Sequence, residues 1–325
     1  MVISQTPLRV SLLGGGTDLA AFYQREDGRV VSSSIDKYVY VIVKGRFDDL
    51  IVLNYSRKEV VERVEDIKHD LIREAIGKAG IEKGVEVTTL ADIPSEGSGL
   101  GSSSSITVGL LNAFHTYEGN HKSAAELARE ACEIEIDILG RPIGKQDQYI
   151  AAYGGVCMLG FEKGGEVTVE KLTFSESQRC RLGENLLLFY TNRTRSASRI
   201  LAEQRAKTQD NFHILRQMKQ HAVEARKHLI NNSFDTIGLL MKQTWECKKQ
   251  LAQSISDPEI DELYDRALSS GALGGKIAGA GGGGFLLLYC PLERQRELRE
   301  ALSHIRELPF GLDRFGTKII FNMGR

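Results

Sequence analysis

A run of glycines and serines between residues 97 and 105 has the composition of a phosphate-binding loop. Glycine occupies every second position from Gly97 to Gly101, and serines fill positions 102–105. Backbone without side chains can wrap an anion, and a helix that starts after such a loop offers free N–H groups and a positive dipole end to phosphate. Because no Lys-Ser or Lys-Thr pair follows the last glycine, this is not a Walker A loop. We therefore predict a nucleotide phosphate cradle of another class.

A second glycine tract, Gly279-Ala-Gly-Gly-Gly-Gly284, has the spacing G-x-G-x-x-G. A Rossmann fingerprint needs a helix after its glycines, but the apolar run Phe285–Tyr289 predicts a strand here. Two interpretations remain open. The tract is either a flexible turn, or a place where the lack of side chains lets another group approach the backbone closely.

Two aspartates follow glycine in segments that could position a carboxylate. Asp18 ends the turn sequence Gly14-Gly15-Gly16-Thr17-Asp18 after a predicted strand. It could cap a short helix at 19–24, or accept hydrogen bonds from the hydroxyl groups of a polyol. Asp147 lies in the polar segment Gly144-Lys-Gln-Asp-Gln-Tyr149, where the residues alone indicate a helix cap or a solvated carboxylate.

The composition is that of a globular protein with almost no net charge. The 325 residues include 42 Lys plus Arg and 43 Asp plus Glu, so we expect no nucleic-acid or membrane partner and only a local anion site. The five cysteines form no CxxC pair, and Cys and His show no metal-ligand spacing. This pattern predicts reduced thiols, and the sequence shows no membrane-spanning run and no leader pattern. We therefore expect a cytoplasmic protein.

The apolar patterns predict a chain that starts with strands and continues with interleaved helices. Strands are predicted near 38–43, 85–89, 186–190, 285–289 and 317–321, and helices near 66–80, 103–118, 123–139, 197–231, 234–254, 258–270 and 291–306. The steady βαβ rhythm of a doubly wound sheet is missing, which indicates two α+β domains. We predict an N-terminal domain of residues 1–185 and a C-terminal domain of residues 186–325.

Taken together, the three glycine motifs resemble the signature motifs of the GHMP kinases, which include galactokinase, homoserine kinase and mevalonate kinase. The loop from Pro94 to Ser103 is highly specific to that family. The segment from Arg9 to Asp18 is similar to the first sugar-kinase motif, with a triple glycine where galactokinases carry Gly-Glu-His, and this departure argues against galactose. The segments 142–149, 191–196 and 275–284 look like the D-glycero-D-manno-heptose 7-phosphate kinases, and fucokinase domains share part of the pattern.

This resemblance implies roles for individual residues. The phosphates of ATP would be bound by Gly97, Ser98, Gly99, Leu100, Gly101, Ser102, Ser103 and Ser104. The magnesium ligands would be Ser103 and Glu135, with Glu133 as the alternative. Asp147 would be the base that faces the sugar hydroxyl, and Arg9 would lie beside it. The implied substrate-binding residues are Gly15, Gly16, Thr17, Asp18, Arg193, Arg195, Lys276 and Gly281.

The resemblance also implies a fold and an activity. The implied fold is α+β, with an N-terminal domain that contains a left-handed βαβ unit, a ferredoxin-like C-terminal domain and an active site in the cleft between them. The implied activity is the ATP-dependent phosphorylation of the anomeric hydroxyl of D-glycero-D-manno-heptose 7-phosphate. The 1,7-bisphosphate would feed nucleotide-activated heptose for a surface glycan. A homodimer is a possible assembly.

Two other functions stay open at this point. One is another sugar 1-kinase, acting on L-fucose or galactose. The other is a non-catalytic sensor that binds sugar or nucleotide, although a pure binder would not need a base and both metal ligands. A sugar phosphate needs a local cationic pocket, for which the segment 191–196 is the first candidate, through Arg195, and Lys276 is the second.

Overall fold

The computed structural model describes residues 1–93, 97–193 and 197–323 of the chain. Its strands lie in two sheets. In chain order the strands of this described part are Val2–Leu13 (β1), Gly28–Gly45 (β2), Ile51–Asn54 (β3), Lys58–Val61 (β4), Val85–Ala91 (β5), Val156–Phe161 (β6), Val167–Lys171 (β7), Leu186–Tyr190 (β8), Gly274–Ile277 (β9), Phe285–Tyr289 (β10), Arg306–Leu308 (β11) and Lys318–Asn322 (β12).

Helices cover the sheets and carry much of the second half of the chain. The α-helices of the described residues are Ala20–Tyr23 (α1), Asp70–Ala79 (α2), Ser102–Tyr117 (α3), Ala124–Cys132 (α4), Gln146–Tyr153 (α5), Glu176–Glu184 (α6), Ala197–Ala206 (α7), Phe212–Ile230 (α8), Phe234–Lys249 (α9), Pro258–Ser269 (α10) and Gln295–Ala301 (α11). A π-helix, Glu133–Ile138, continues α4. None of the helices in the part of the chain described here has the length and apolar character needed to cross a membrane.

The first sheet is mostly antiparallel. Its strand order is β12-β1-β2-β5-β3-β4, and β6 pairs with both β2 and β7. The pair β3 and β5 is parallel, with Ile51 opposite Val85. The chain passes through β4 and α2 between these two strands, so the sheet contains one βαβ unit of the kind that the resemblance implies.

The second sheet has the ferredoxin-like arrangement. The chain order is strand, helices, two strands, helix and strand, and the order in space is β11-β8-β10-β9. Every pair in this sheet is antiparallel, for example Leu188 of β8 opposite Leu287 of β10. The predicted α+β class and the ferredoxin-like C-terminal domain are confirmed.

Strand β1 and helix α3 form the buried centre of the first layer, by which we mean the first sheet together with the helices packed against it. Leu8 and Val10 on the strand and Leu110 and Phe114 on the helix are 0% exposed. Burying such side chains stabilises the fold by about 1.5–3 kcal/mol each. The helix approaches the sheet closely at Gly109, where a Cβ atom would lie 2.8 Å from Thr6 Oγ1. This packing fixes the start of α3, and with it the end of the glycine loop, against β1.

Two helices predicted from the sequence are wrong in extent. The single helix predicted over 197–231 is interrupted between α7 and α8. In the break the Thr208 hydroxyl donates to the Gln204 carbonyl at 3.0 Å, and the Asn211 amide donates to the Leu251 carbonyl at 3.0 Å. The Thr208 bond is a local side-chain bond of the kind that competes with helix continuation, and the Asn211 bond ties the break to the segment that follows α9. The helix predicted over 291–306 is limited to α11 and a preceding turn of 3-10 helix, because the chain enters β11 at Arg306.

The two sheets take their strands from different parts of the chain, except at its end. Strands β1–β7 precede residue 186, and β8–β11 begin at or after it. Strand β12 returns to the first sheet, where Phe321 lies opposite Ile3 of β1. The boundary between residues 185 and 186 itself stays a prediction.

Candidate active site

The glycine loop ends in the first turn of helix α3. Gly97, Gly99 and Gly101 have positive φ angles of 73°, 73° and 78°, which glycine adopts without strain. Gly101 is the N-cap residue of the helix, and the amide of Ser105 donates to its carbonyl at 3.0 Å. The amides of the serines at 102–104 therefore stand at the helix end, where backbone N–H groups have no acceptor within the helix. This is the geometry of an anion cradle.

The two long glycine tracts contact each other. A Cβ atom on Gly99 would lie 2.5 Å from the Ala278 carbonyl oxygen, and one on Gly284 would lie 2.6 Å from the Gly97 carbonyl oxygen. Only residues without side chains allow the second tract to pack against the phosphate loop in this way. The contact supports the close-approach interpretation of Gly279–Gly284 over the flexible turn.

Arg9 and Asp147 form a bidentate ion pair next to the phosphate loop. Arg9 Nε lies 2.6 Å from Asp147 Oδ1, and Arg9 Nη2 lies 2.5 Å from Asp147 Oδ2. The remaining terminal nitrogen, Nη1, donates to the Gly99 carbonyl at 2.5 Å. The Arg9 side chain is 5% exposed and that of Asp147 is 23% exposed. The arginine thus ties the carboxylate in the first turn of α5 to the loop that precedes α3.

Asp18 is held in a glycine turn and does not cap α1, the helix that follows it. Its Oδ1 accepts from the Gly16 amide at 2.9 Å, and its Oδ2 accepts from the Gln146 side-chain amide at 3.1 Å. The N-cap residue of α1 is Leu19, and no side chain caps that helix. Burial raises the pKa of the Asp18 carboxyl above its ordinary value, and the nearby Asp147 charge acts in the same direction.

Gly144 is needed for the position of Asp18. A Cβ atom on Gly144 would lie 1.9 Å from Asp18 Oδ2 and 2.4 Å from its Cγ. Any side chain at this position would therefore displace the carboxylate. The polar segment around Asp147 and the glycine turn of Asp18 are parts of one site.

Glu135 is a fully buried carboxylate beside the start of α3. It lies in the π-helix and is 0% exposed. Its Oε2 accepts from the Ser104 hydroxyl and from the Gln148 side-chain amide, each at 2.7 Å, and its Oε1 accepts from Arg141 at 3.3 Å. Burial raises the pKa of the Glu135 carboxyl, and these donors act the other way.

These surroundings fit a magnesium ion that is bound mainly by phosphate oxygens. Mg²⁺ prefers oxygen ligands and is commonly held by one or two carboxylates together with nucleotide phosphates and water. Glu135 supplies one carboxylate. The Ser103 side chain, on the first turn of α3, is exposed and acts on the Glu135 carboxyl as a donor that lowers its pKa. Within the described ranges no group of three His, Cys, Asp or Glu side chains could hold a metal without such help. Glu133 is instead paired with Lys78 at 2.6 Å.

A cavity lies between Arg9, Asp18, Asp147 and Lys276, and we call it the Asp18 cavity. Of the predicted site residues, it is lined by Arg9, Gly15, Gly16, Asp18, Asp147 and Lys276. The sequence did not single out the lining residues Ser11, Gln146, Gln204 and Lys248. Three buried polar atoms in this lining, Ser11 Oγ, Gln146 Oε1 and Gln204 Nε2, have no hydrogen-bond partner. Unpaired donors and acceptors of this kind suit the hydroxyl groups of a sugar.

A second cavity lies on the other side of the α3 start, and we call it the Ser103 cavity. Its lining includes Ser103, Arg141 and Asp70, together with Tyr55 and His69, whose ring centroids are 4.8 Å apart. Arg141 bridges Asp70 at 2.9 Å and Glu135 at 3.3 Å. The cavity combines rings with charged groups next to the phosphate loop, as a nucleotide site requires.

Three predicted substrate residues in the described part of the chain do not line the Asp18 cavity. Arg193 is paired with Asp257 at 3.0 Å and with Glu259. Thr17 is buried and donates to the Gly14 carbonyl at 2.8 Å, which stabilises the turn. Gly281 packs against Ile255. Arg195 lies outside the described residues. Among the predicted nucleotide residues, Leu100 is fully buried, and its carbonyl accepts from the Arg9 amide at 3.0 Å.

Comparisons with known protein sequences match most of the chain. Residues 54–155 match the family described as GHMP kinases N terminal domain, and residues 225–305 match the one described as GHMP kinases C terminal. A D-glycero-alpha-D-manno-heptose 7-phosphate kinase from Campylobacter jejuni is 31% identical over 92% of each chain. An L-fucokinase/L-fucose-1-P guanylyltransferase from Bacteroides fragilis is 28% identical over 89% of this chain and 34% of the relative.

A solved structure agrees with these sequence matches. The crystal structure of a D-glycero-D-manno-heptose 1-phosphate kinase from Bacteroides thetaiotaomicron superimposes with a TM-score of 0.84 at 25% identity. The match covers 100% of both chains.

Proposed function

This chain belongs to the GHMP kinase family, and we propose that it transfers the γ-phosphoryl group of ATP to the anomeric hydroxyl of D-glycero-D-manno-heptose 7-phosphate. The observation that carries the proposal is the Arg9–Asp147 pair, which lies between the phosphate loop and a cavity lined by unpaired polar groups. The heptose-phosphate substrate is supported by the 31% identity to the C. jejuni heptose 7-phosphate kinase.

In this proposal Asp147 is the general base. Its carboxylate takes the proton of the anomeric hydroxyl, whose oxygen forms a bond to the γ-phosphorus while the bond to the bridging oxygen of ADP breaks. An anomeric hydroxyl is more acidic than an ordinary alcohol, which makes a carboxylate a sufficient base. A positioned base contributes about 10²–10⁴-fold to the rate.

Phosphoryl transfer depends mainly on positioning and on neutralising charge. The amides at the start of α3 and the Arg9 guanidinium would face the phosphates. Ser103 and Glu135 would hold Mg²⁺, which when bound neutralises phosphate charge. Asp18, Gln146 and Gln204 would orient the sugar through its hydroxyl groups.

A free-sugar 1-kinase is the second candidate. The L-fucokinase relative favours it. A non-catalytic sensor has less support, because Asp147 and Glu135 are both present and positioned.

In the proposed role the product, a 1,7-bisphosphate, would supply nucleotide-activated heptose for a surface glycan.

ADP release measured over heptose 7-phosphate, L-fucose, galactose and mannose tests the proposal. We expect the highest kcat/KM for heptose 7-phosphate. A higher kcat/KM for L-fucose would favour the second candidate, and no turnover with any acceptor would favour the sensor.

A further inference from the structure

Lys276 places a buried positive charge in the wall of the Asp18 cavity. It lies on β9, lines the cavity and is 3% exposed. Within the described residues its ammonium group has no hydrogen-bond or ion-pair partner. An isolated buried charge is costly unless an opposite charge and hydrogen bonds compensate it. The ammonium of Lys276 is therefore a suitable partner for an anionic ligand that enters the cavity.

Lys248 brings a second ammonium to the same wall from helix α9. It is 6% exposed, and its Nζ donates to the Ile277 carbonyl at 3.2 Å and to the Gly279 carbonyl at 2.5 Å. An ammonium has three donors, so one remains for a ligand. The two carbonyl bonds fix the direction of that donor.

Charge in the cavity is unbalanced. Arg9 and Asp147 neutralise each other, which leaves Lys248 and Lys276 against Asp18 alone. Burial lowers the pKa of Lys248 to about 7, with the Arg9 charge acting in the same direction. Burial, followed by the Lys248 charge, lowers the pKa of Lys276. A bound dianion would favour the charged form of both lysines.

Two phosphates could supply that anion: the one transferred from the nucleotide, and one that the sugar already carries. The lysines line the Asp18 cavity and not the Ser103 cavity. In the proposed function the amides at the start of α3 face the nucleotide phosphates. We propose that Lys276 and Lys248 bind the phosphate ester group that the acceptor sugar carries into the cavity, an inference that rests on the proposed function. Lys276 is the second candidate that the sequence offered for this phosphate, and Arg195, the first, lies outside the described residues.

The test compares Lys276→Met and Lys248→Met with the wild type on heptose 7-phosphate and on heptose without the phosphate. Met keeps the length of the side chain and removes the charge. Lys249→Met is the matched control, because Lys249 is the next residue of α9 and pairs with Glu246 at 3.1 Å. A hydrogen bond to a charged group predicts a loss of about 10- to 150-fold in kcat/KM on the phosphate ester. The Lys249→Met enzyme should keep its kcat/KM for both acceptors and its KM for ATP within about twofold of the wild type, and the Lys276→Met and Lys248→Met enzymes should lose more kcat/KM on the phosphate ester than on free heptose.

Thermal shift in an Asp147→Asn background separates binding from turnover and shows that each variant is folded. Heptose 7-phosphate should raise the melting temperature of this parent and of its Lys249→Met form, and should fail to do so when Lys276 is replaced. Equal losses on both acceptors would mean that the lysines act on the transferred phosphoryl group, and would overturn the inference. So would an undiminished kcat/KM for heptose 7-phosphate in both lysine variants. A wild type that phosphorylates another sugar but not this ester would refute the proposed function itself.

Discussion

The Arg9 guanidinium and the Asp147 carboxylate meet through two parallel hydrogen bonds of 2.6 and 2.5 Å, and the same arginine reaches the Gly99 carbonyl. Bidentate contacts between arginine and carboxylate are strong and directional. The pair therefore fixes the proposed base relative to the phosphate loop before any substrate binds. Asp147 is 138 residues away from Arg9 in the sequence, so the relationship depends on the fold of the whole first layer.

Asp147→Asn should keep the fold and ATP binding and lose most turnover. Asparagine has the same size and can still accept a hydrogen bond from Arg9, but it cannot take a proton from the sugar. We expect kcat to fall by about 10²–10⁴-fold. ADP release measures turnover, and calorimetry measures ATP binding. Asp137→Asn, an exposed carboxylate in the preceding π-helix, is the control. An Asp147→Asn enzyme within a few-fold of the wild type would refute the assignment of the base.

Gly144→Ala should weaken the binding of the sugar without affecting the binding of the nucleotide. The new Cβ atom would lie 1.9 Å from Asp18 Oδ2, so the carboxylate has to move. Losing its charged hydrogen bonds to the sugar predicts an increase in the sugar KM of about 10- to 150-fold. Gly164→Ala, where nothing lies within 4 Å of the new atom, is the matched control. If the KM values for sugar and ATP rise together, Asp18 does not bind the sugar.

Ser103→Ala and Glu135→Gln should each raise the concentration of free Mg²⁺ needed for half-maximal activity. Each change removes an oxygen ligand proposed for a hard cation. Glu133→Gln is the matched control, because Glu133 pairs with Lys78 and should not contribute. Titration of activity against free Mg²⁺ gives the answer. A shift in the Glu133→Gln enzyme, with none in the other two, would move the metal site to Glu133.

Asp18→Asn should stabilise the ligand-free protein at neutral pH and should weaken its binding of the sugar. The folded-state pKa of Asp18 is raised by burial, so the folded protein binds this proton more tightly than the unfolded chain does. Stability contributed by this group is then highest below its unfolded pKa and is lost as the pH rises through the folded pKa. Asparagine removes that loss. The gain in melting temperature should be largest near pH 7 and should shrink towards about pH 4. A lower melting temperature for Asp18→Asn at pH 7 would contradict the burial argument.

The local features of the site could be predicted from the sequence. The alternating glycines and the following serines predicted the loop and the start of α3, and the apolar run Phe285–Tyr289 predicted the strand β10 that follows the second glycine tract. Both depend on residues that are close together in the chain. The three-residue strand β11 was not predicted, because its pairing with β8 arises from contacts across 116 positions between Arg306 and Tyr190 rather than from a local pattern.

Two of the four missed residues of the site lie on helices without motifs. Gln204 and Lys248 belong to α7 and α9 and reach the cavity only when the second sheet packs against the first. One signal was available for Lys248. It follows the buried Met241 and Trp245 at helical spacing, and a cation on an apolar stripe needs an explanation. No signal of this kind marks Gln204, whose side chain is polar like many exposed helix residues.

The position of the new phosphate on the product tests the central claim most directly. Purified protein is incubated with ATP, Mg²⁺ and D-glycero-D-manno-heptose 7-phosphate, and the product is examined by ³¹P NMR with coupling to protons. The account predicts one ADP per product molecule and a new phosphorus signal that couples to the anomeric proton. A product phosphorylated at any other hydroxyl, or no ADP release above the rate of the Asp147→Asn enzyme, would contradict it.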